Sequence, residues 1–113
     1  MFEKFEHKGM KSKNPIISIW LNGTISFNSS FVDKHDINNY KYAELYYNKK
    51  DNKVGIKFIN DNDENSFEIV KRGNSRSIMA RSFLKYYSID YSRSMKFNYY
   101  FDKKIDLFIF NLS

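Results

Sequence analysis

Ile16-Ile-Ser-Ile-Trp-Leu21, Asn22-Gly23, Thr24-Ile-Ser-Phe27 and Asn28-Ser-Ser-Phe-Val-Asp-Lys-His-Asp-Ile37 follow one another without a gap, and their order decides the fold. The first is an apolar run opened by Pro15, the only proline. Asn-Gly is a strong hairpin signal, because both positions of a two-residue turn need φ > 0. Thr24 to Phe27 alternates like a returning strand. Asn28 or Ser29 can then cap one or two helical turns on which Phe31, Val32 and His35 share a face. The opening is a hairpin followed by a short helix.

Alternation resumes at Tyr40 to Tyr47, with Tyr42, Glu44 and Tyr46 opposing Ala43, Leu45 and Tyr47. The polar loop Asn48-Lys-Lys-Asp-Asn52 turns it into Lys53 to Ile59, where Val54, Ile56 and Phe58 face one way and Lys53 and Lys57 the other. One wet face is expected of such a hairpin. Beyond a second loop, Asn60 to Asn65, the pattern starts again. Ser66 to Lys71 is a strand with Phe67 and Ile69 as core pair, Arg72-Gly-Asn74 a turn, and Ser75 to Ala80 a strand. Arg81 to Ser88 carries Phe83, Leu84, Tyr86 and Tyr87 at helical spacing, with Ser82 as cap. Met95, Phe97, Tyr99 and Phe101 alternate, Asp102-Lys-Lys104 turns, and Ile105 to Leu112 returns, open to pairing across a homodimer or within its own sheet.

The predicted fold is therefore α+β, mostly antiparallel β. It has about eight short strands in hairpins and two short helices, arranged as two similar ββαββ halves or as a partly closed barrel. Residues 1–13 read as a flexible tail and 14–113 as a single domain. Eleven Phe and nine Tyr supply the core, whereas Ala occurs twice and Leu five times. Large rings and β-branched residues favour strands over helices.

Charge is placed unevenly. All four arginines, with Lys71, Lys85 and Lys96, fall between residues 71 and 96 against the single acid Asp90, so this stretch holds the whole net charge of +6. A local field of this kind favours an anionic partner. Arginine presents a planar fork suited to phosphate, whereas lysine is a point charge. Tyr86, Tyr87 and Tyr91 lie among the bases, and rings among bases suit single-stranded nucleic acid. Lys71, Arg72, Arg76, Arg81, Lys85 and Arg93 are the candidate phosphate contacts. The competing readings are a solvated basic face and tyrosines that belong to the core.

Other chemistry finds little support. The absence of Cys excludes disulfides and thiolate chemistry. His35 beside Asp33 and Asp36 reads as an exposed helix face, not a metal ligand. Asp61-x-Asp63-x-Asn65 imitates a calcium loop, but Ser66 and Arg72 stand where such a loop needs Gly and Glu. Four scattered glycines make no phosphate-cradling loop, and no serine sits in a nucleophile elbow. No apolar run approaches the roughly 20 residues of a membrane span, and the charged start has no export signal, so a cytoplasmic location is expected.

Gly23-Thr-Ile-Ser-Phe-Asn-Ser-Ser-Phe-Val, Tyr42-Ala-Glu-Leu-Tyr-Tyr and Val54-Gly-Ile-Lys-Phe58 together resemble the rhythm of the AbrB/MraZ family of swapped-hairpin DNA-binding regulators. The resemblance covers residues 22–58 and implies a dimer on DNA. It departs from the family at Thr24, where Arg is common, and at Asn28, where Pro is common, and the excess of bases lies in the other half. The function expected is that of a small, non-enzymatic nucleic-acid-binding protein, a candidate regulator, that contacts DNA or RNA phosphate without cofactor, metal or membrane. The alternative is a phage or mobile-element interaction module that binds and inhibits an acidic host protein.

Overall fold

The computed structural model describes residues 1–2 and 14–113. The tail expected over 1–13 lies, from residue 3 onward, outside the described residues. The rest folds into β1 (Ile17–Ile19), β2 (Thr24–Phe27), α1 (Ser29–Lys34), a 3₁₀ turn (Ile37–Asn39), β3 (Tyr42–Asn48), β4 (Lys53–Ile59), β5 (Phe67–Glu68), β6 (Val70–Arg72), β7 (Ser75–Met79), α2 (Arg81–Tyr86), β8 (Met95–Phe97), β9 (Tyr99–Asp102) and β10 (Leu107–Asn111). The fold is α+β and mostly antiparallel, as the alternation predicts.

Two five-stranded sheets face each other, the first ordered β6-β7-β2-β1-β8 and the second β5-β3-β4-β10-β9. Two segments expected as single strands each bend and serve both sheets. The strand expected over Ser66 to Lys71 changes sheet at Ile69 and runs on through Arg72. The one expected from Met95 to Phe101 changes at Asn98 and runs on through Asp102, both end residues having been expected in turns. That raises the strand count to ten and leaves the sheets joined by bent chain at their edges, not closed by hydrogen bonds into a barrel. β10 lies between β4 and β9, so both its edges are paired within the domain.

The two halves repeat. Exchanging β1 with β6, β2 with β7, β3 with β9 and β4 with β10 leaves the order of the four matching strands in each sheet unchanged. The halves join at the centre of each sheet, where Ile25 pairs with Ile78 and Gly55 with Ile109. Turn geometry repeats as well. Each helix ends two residues before a left-handed position, Asp36 (φ 53°) beyond the His35 cap and Ser88 (φ 54°) beyond the Tyr87 cap. The β3–β4 and β9–β10 loops are both four residues long, both begin Lys-Lys, and both end left-handed, at Asn52 (φ 55°) and Asp106 (φ 58°). Asn and Asp tolerate this conformation better than other non-glycine residues.

Local chemistry departs from expectation at two turns. The β1–β2 connection is not a two-residue turn: Gly23 N–H donates to Trp20 O (2.9 Å) and only Gly23 is left-handed (φ 84°), with Asn22 Oδ1 accepting from Thr24 N–H. Asn28 caps α1 as predicted. Its Oδ1 accepts from Phe31 N–H and from Ile16 N–H, both at 3.0 Å. Ser82 does not cap α2. Ala80 N–H still pairs with Gly23 O at 2.9 Å, so strand bonding runs up to the helix and the cap position falls on buried Ala80, with no side-chain bond.

The core fills the space between the sheets. Ile17, Ile19, Ile25, Phe27 and Ile78 come from the first sheet, and Ala43, Val54, Ile56, Phe58 and Phe110 from the second. The helices add Phe31 and Val32 from α1 and Phe83 and Leu84 from α2. Phe31 packs on Phe58 at one end of β4. Phe83 packs on Tyr47, which pairs with Val54 at the other end. No helix among the described residues is long and apolar enough to cross a membrane.

Candidate functional site

Paired residues in a sheet project to the same side. Since Ile17, Ile19 and Ile25 face the core, Ser18, Ser26 and Ser77 project from the opposite side, in one row across β1, β2 and β7, where Ser18 (7% exposed) and Ser77 (4%) are nonetheless buried. Lys96 of β8, opposite Ser18, and Val70 of β6, opposite Ser77, extend this row to the two edges. Trp20 follows Ile19 and leaves on the outer side. Its Nε1–H donates to Ser26 Oγ at 2.7 Å, which holds the indole against the sheet while 43% of the residue stays exposed. Thr24 and Met79, opposite each other, project outward beside it, with Met79 exposed.

The six candidate phosphate contacts divide around this face. Arg72 pairs with Ser75 and projects outward with it. Arg81 and Lys85 stand one turn apart on α2 and share a shallow hollow with Met79 and Ser82. The Arg81 guanidinium donates from Nε (3.3 Å) and Nη2 (3.1 Å) to the Asn22 carbonyl, which anchors it at the β1–β2 turn. Gly23 makes that approach possible, because a Cβ there would lie 2.9 Å from Arg81 Cβ. Arg93 lies in the loop before β8, whose antiparallel register with β1 runs toward the same turn. Lys71 and Arg76 go elsewhere. They pair with each other and Arg76 pairs with Phe27, so both leave from the core-facing side at the sheet's end. Arg76 donates to Asn38 Oδ1 in the 3₁₀ turn and to the carbonyls of Gly73 and Ser75.

Lys96, Arg72, Arg81 and Lys85 thus rim one face, with Arg93 near its turn end, while Lys71 and Arg76 do not join them. None of these side chains comes within ion-pair distance of a carboxylate among the described residues, although Asp90 lies near enough to Arg93 for their charges to interact. The tyrosines divide too: Tyr86 and Tyr87 are exposed, whereas Tyr91 packs against the core. Trp20 and Met79 were not legible as site residues. Trp20's place in the alternation Ile17, Ile19 against Ser18, Trp20 was the available signal.

No family model, curated protein or solved structure matches the chain. What the protein does has to be read from its surfaces.

A second feature lies in the other half. β4 continues to Ile59, but its pairing with β10 begins only at Ile56 opposite Phe108, so β4 outruns its neighbour. A cleft of about 280 Å³ opens there, lined by His35, Ile37, Tyr40, Lys57, Phe58, Phe101, Asp106 and Phe108. Phe108 is the hub of its rings, in contact with Phe31, His35, Phe58, Tyr99 and Phe101. His35 Nε2 and the Tyr99 hydroxyl share a hydrogen bond of 2.6 Å. Burial, then neighbouring Lys34, hold the imidazole below its usual value near 6.5 against an opposing pull from Asp36, and burial pushes the Tyr99 phenol up. Lys57 Nζ stands 3.7 Å from Asp106 Oδ2 at the mouth. Among the described residues no group of His, Cys, Asp and Glu could hold a metal ion.

Proposed function

We propose that this is a non-enzymatic nucleic-acid-binding protein whose binding surface is the outer face of the first sheet and the adjoining start of α2. The observation that carries the reading is the half-exposed indole of Trp20, anchored through its N–H to Ser26 among Arg72, Arg81, Lys85 and Lys96, none of which is ion-paired with a carboxylate of the described residues. An aromatic ring on a sheet offers a stacking platform to an unpaired base, and the surrounding Arg72, Arg81, Lys85 and Lys96 offer phosphate contacts on either side. Single strands are favoured over duplex, because stacking on Trp20 requires a base free of its partner.

Trp20 is the only tryptophan, so its fluorescence reports directly on this face. Titration with single-stranded oligonucleotides at low salt should quench it. The logarithm of affinity should fall with that of salt by about 0.7 for each phosphate neutralised. Arg81→Ala with Lys85→Ala should flatten that slope, whereas Lys71→Ala should change it least. Unchanged fluorescence and no binding to any DNA or RNA at low salt would overturn the reading.

A second reading is an acidic protein partner. Leu21 and Met79, both exposed beside the same bases, favour it, since apolar contacts ringed by charge suit a protein surface. Binding of a purified acidic protein domain that survives nuclease treatment, with no oligonucleotide binding, would select it.

A further inference from the structure

The cleft beside α1 has a counterpart beside α2, and the counterpart is closed. In the repeated framework Tyr87 stands where His35 does, as the residue capping the helix. Tyr47, next to the end of β3, stands where Phe101 does in β9, and Asn52 stands where Asp106 does. There the protein fills its own hollow. Tyr47 packs on Tyr87 with ring centroids 4.7 Å apart, and its hydroxyl donates to Asn52 Oδ1 at 2.7 Å. Leu112 N–H then donates to Asn52 O at 2.9 Å and carries the pairing of β10 with β4 past the strand end. Beside α1 none of this is present. Phe101 has no hydroxyl and rests on Phe108 (4.8 Å), His35 is engaged by Tyr99, and no bond joins Phe58 N–H to Asp106 O. One framework thus seals one hollow and leaves the other open.

The open hollow has a distinct chemistry. Its walls are rings, Tyr40, Phe58, Phe101 and Phe108, which suit a flat aromatic molecule. Its mouth presents a group that only donates, Lys57, next to a group that only accepts, Asp106. At 3.7 Å they lie beyond hydrogen-bond distance, so neither satisfies the other. An exposed pair of this kind adds little stability. What it provides is an edge with a donor and an anionic acceptor side by side. Nucleobases carry the complementary edge, and guanine matches it most fully. Its O6 accepts, and the adjacent ring N–H and exocyclic amino group both donate toward a carboxylate.

The geometry points to this cleft as a nucleobase pocket, with guanine the base that its Lys57–Asp106 edge fits. The base can arrive as a free nucleoside or as an unpaired residue of a strand, and the pocket stands on geometry separate from the Trp20 face.

The test is calorimetric titration of the full chain with guanosine and adenosine, and with oligothymidylate containing one central guanine or one adenine. Each is repeated for Lys57→Ala and Asp106→Asn. Asparagine tolerates the left-handed backbone at Asp106, and both side chains are substantially exposed, so the variants should melt with the parent. Preference for guanosine over adenosine by about tenfold, lost in Asp106→Asn, establishes the pocket for the free base. No nucleoside binding, but a guanine-over-adenine preference in the strand that Asp106→Asn removes, establishes it for a strand. Equal affinity for guanine and adenine ligands throughout, or a guanine preference that survives both substitutions, overturns the proposal. Failure of the Trp20 surface leaves guanosine binding intact, so the two readings fail separately.

Discussion

The α1 and α2 halves follow the same chain path, and the difference between them lies in the side chains that occupy the hollow beyond each helix. His35 and Phe101 leave an opening where Tyr87 and Tyr47 close one. Backbone features are kept in both halves: the left-handed residue after each helix, the four-residue Lys-Lys loop, and the strand pairing through the centre of each sheet. What is repeated is the framework, and what varies is the content. A framework held by turns and ladders tolerates exchange of the groups that it surrounds.

The halves also differ in how much of the core rests on each helix. Phe31 is fully buried and touches Phe27, His35, Phe58, Tyr99 and Phe108, whereas Phe83, marginally less buried, touches Tyr47 and Tyr87. Phe31→Ala should cost the most of any single change considered, about 3–5 kcal/mol in urea unfolding. Phe83→Ala should cost less, because exposed Tyr87 can move into part of the space. Equal losses would show that the aromatic cluster around α1 is no better packed than its counterpart.

The turn glycines provide the next contrast. Gly23 and Gly73 are both left-handed, at φ 84° and 59°, in the first turn of each half. A Cβ at Gly23 would stand 2.9 Å from Arg81 Cβ and 3.0 Å from Arg81 Cα, while one at Gly73 would meet nothing within 4 Å. Gly73→Ala should therefore cost only the backbone strain, about 1 kcal/mol. Gly23→Ala should cost about 2–3 kcal/mol, because the start of α2 has to move. It should also weaken oligonucleotide binding, since Arg81 is seated on that turn, and Gly73→Ala should not. Thermal melts and Trp20 quenching on the two variants read both effects.

Much of this architecture could be read from the sequence, for a physical reason. Alternation of rings and polar residues fixes which face of a strand is buried, and Asn28, Gly23 and Asn52 mark their turns by chemistry that few other residues share. The ββαββ repeat emerged from element order alone. Two bends did not. Nothing in Glu68-Ile69-Val70 or Phe97-Asn98-Tyr99 distinguishes a strand that changes sheet from one that stays, because alternation continues through both. The site was legible only as charge. Local sequence located the bases, but whether Arg76 joins Arg81 depends on register, and register sends it to the core-facing side opposite Phe27. The cleft could not be read at all, since Lys57 and Asp106 meet through the unequal lengths of β4 and β10.

Exchange of the contents tests whether the framework is as indifferent as the comparison suggests. His35→Tyr with Phe101→Tyr gives the α1 half the two rings that close the other, and Asp106 is placed to accept from the new hydroxyl as Asn52 does from Tyr47. The His35–Tyr99 bond is lost and one phenol bond is gained, so stability should change by no more than about 1 kcal/mol. Binding of guanosine should disappear while Trp20 quenching by oligothymidylate is retained. A variant that unfolds, or that keeps the cleft open to guanosine, would show that the two hollows are not built on one plan.

The smallest effect expected is also the most specific to one half. His35 gives the α1 half a histidine imidazole where the α2 half has the ring of Tyr87. Burial holds the imidazole below 6.5 in the folded protein, with Lys34 in the same direction and Asp36 opposing it. Between the unfolded and folded values the unfolded chain binds more protons, so stability should be level above about pH 6.5 and should decline as pH falls below it. Asp90, held low by its bonds to Ser92, contributes only at more acid pH, below its ordinary 3.8, and leaves the window clear. Melting temperature measured from pH 8 to 5 should show a decline in the parent that is reduced in His35→Tyr. A decline of the same size in both would place the titrating group outside the cleft, and would leave the hydrogen bond to Tyr99 as a packing contact without consequence for protonation.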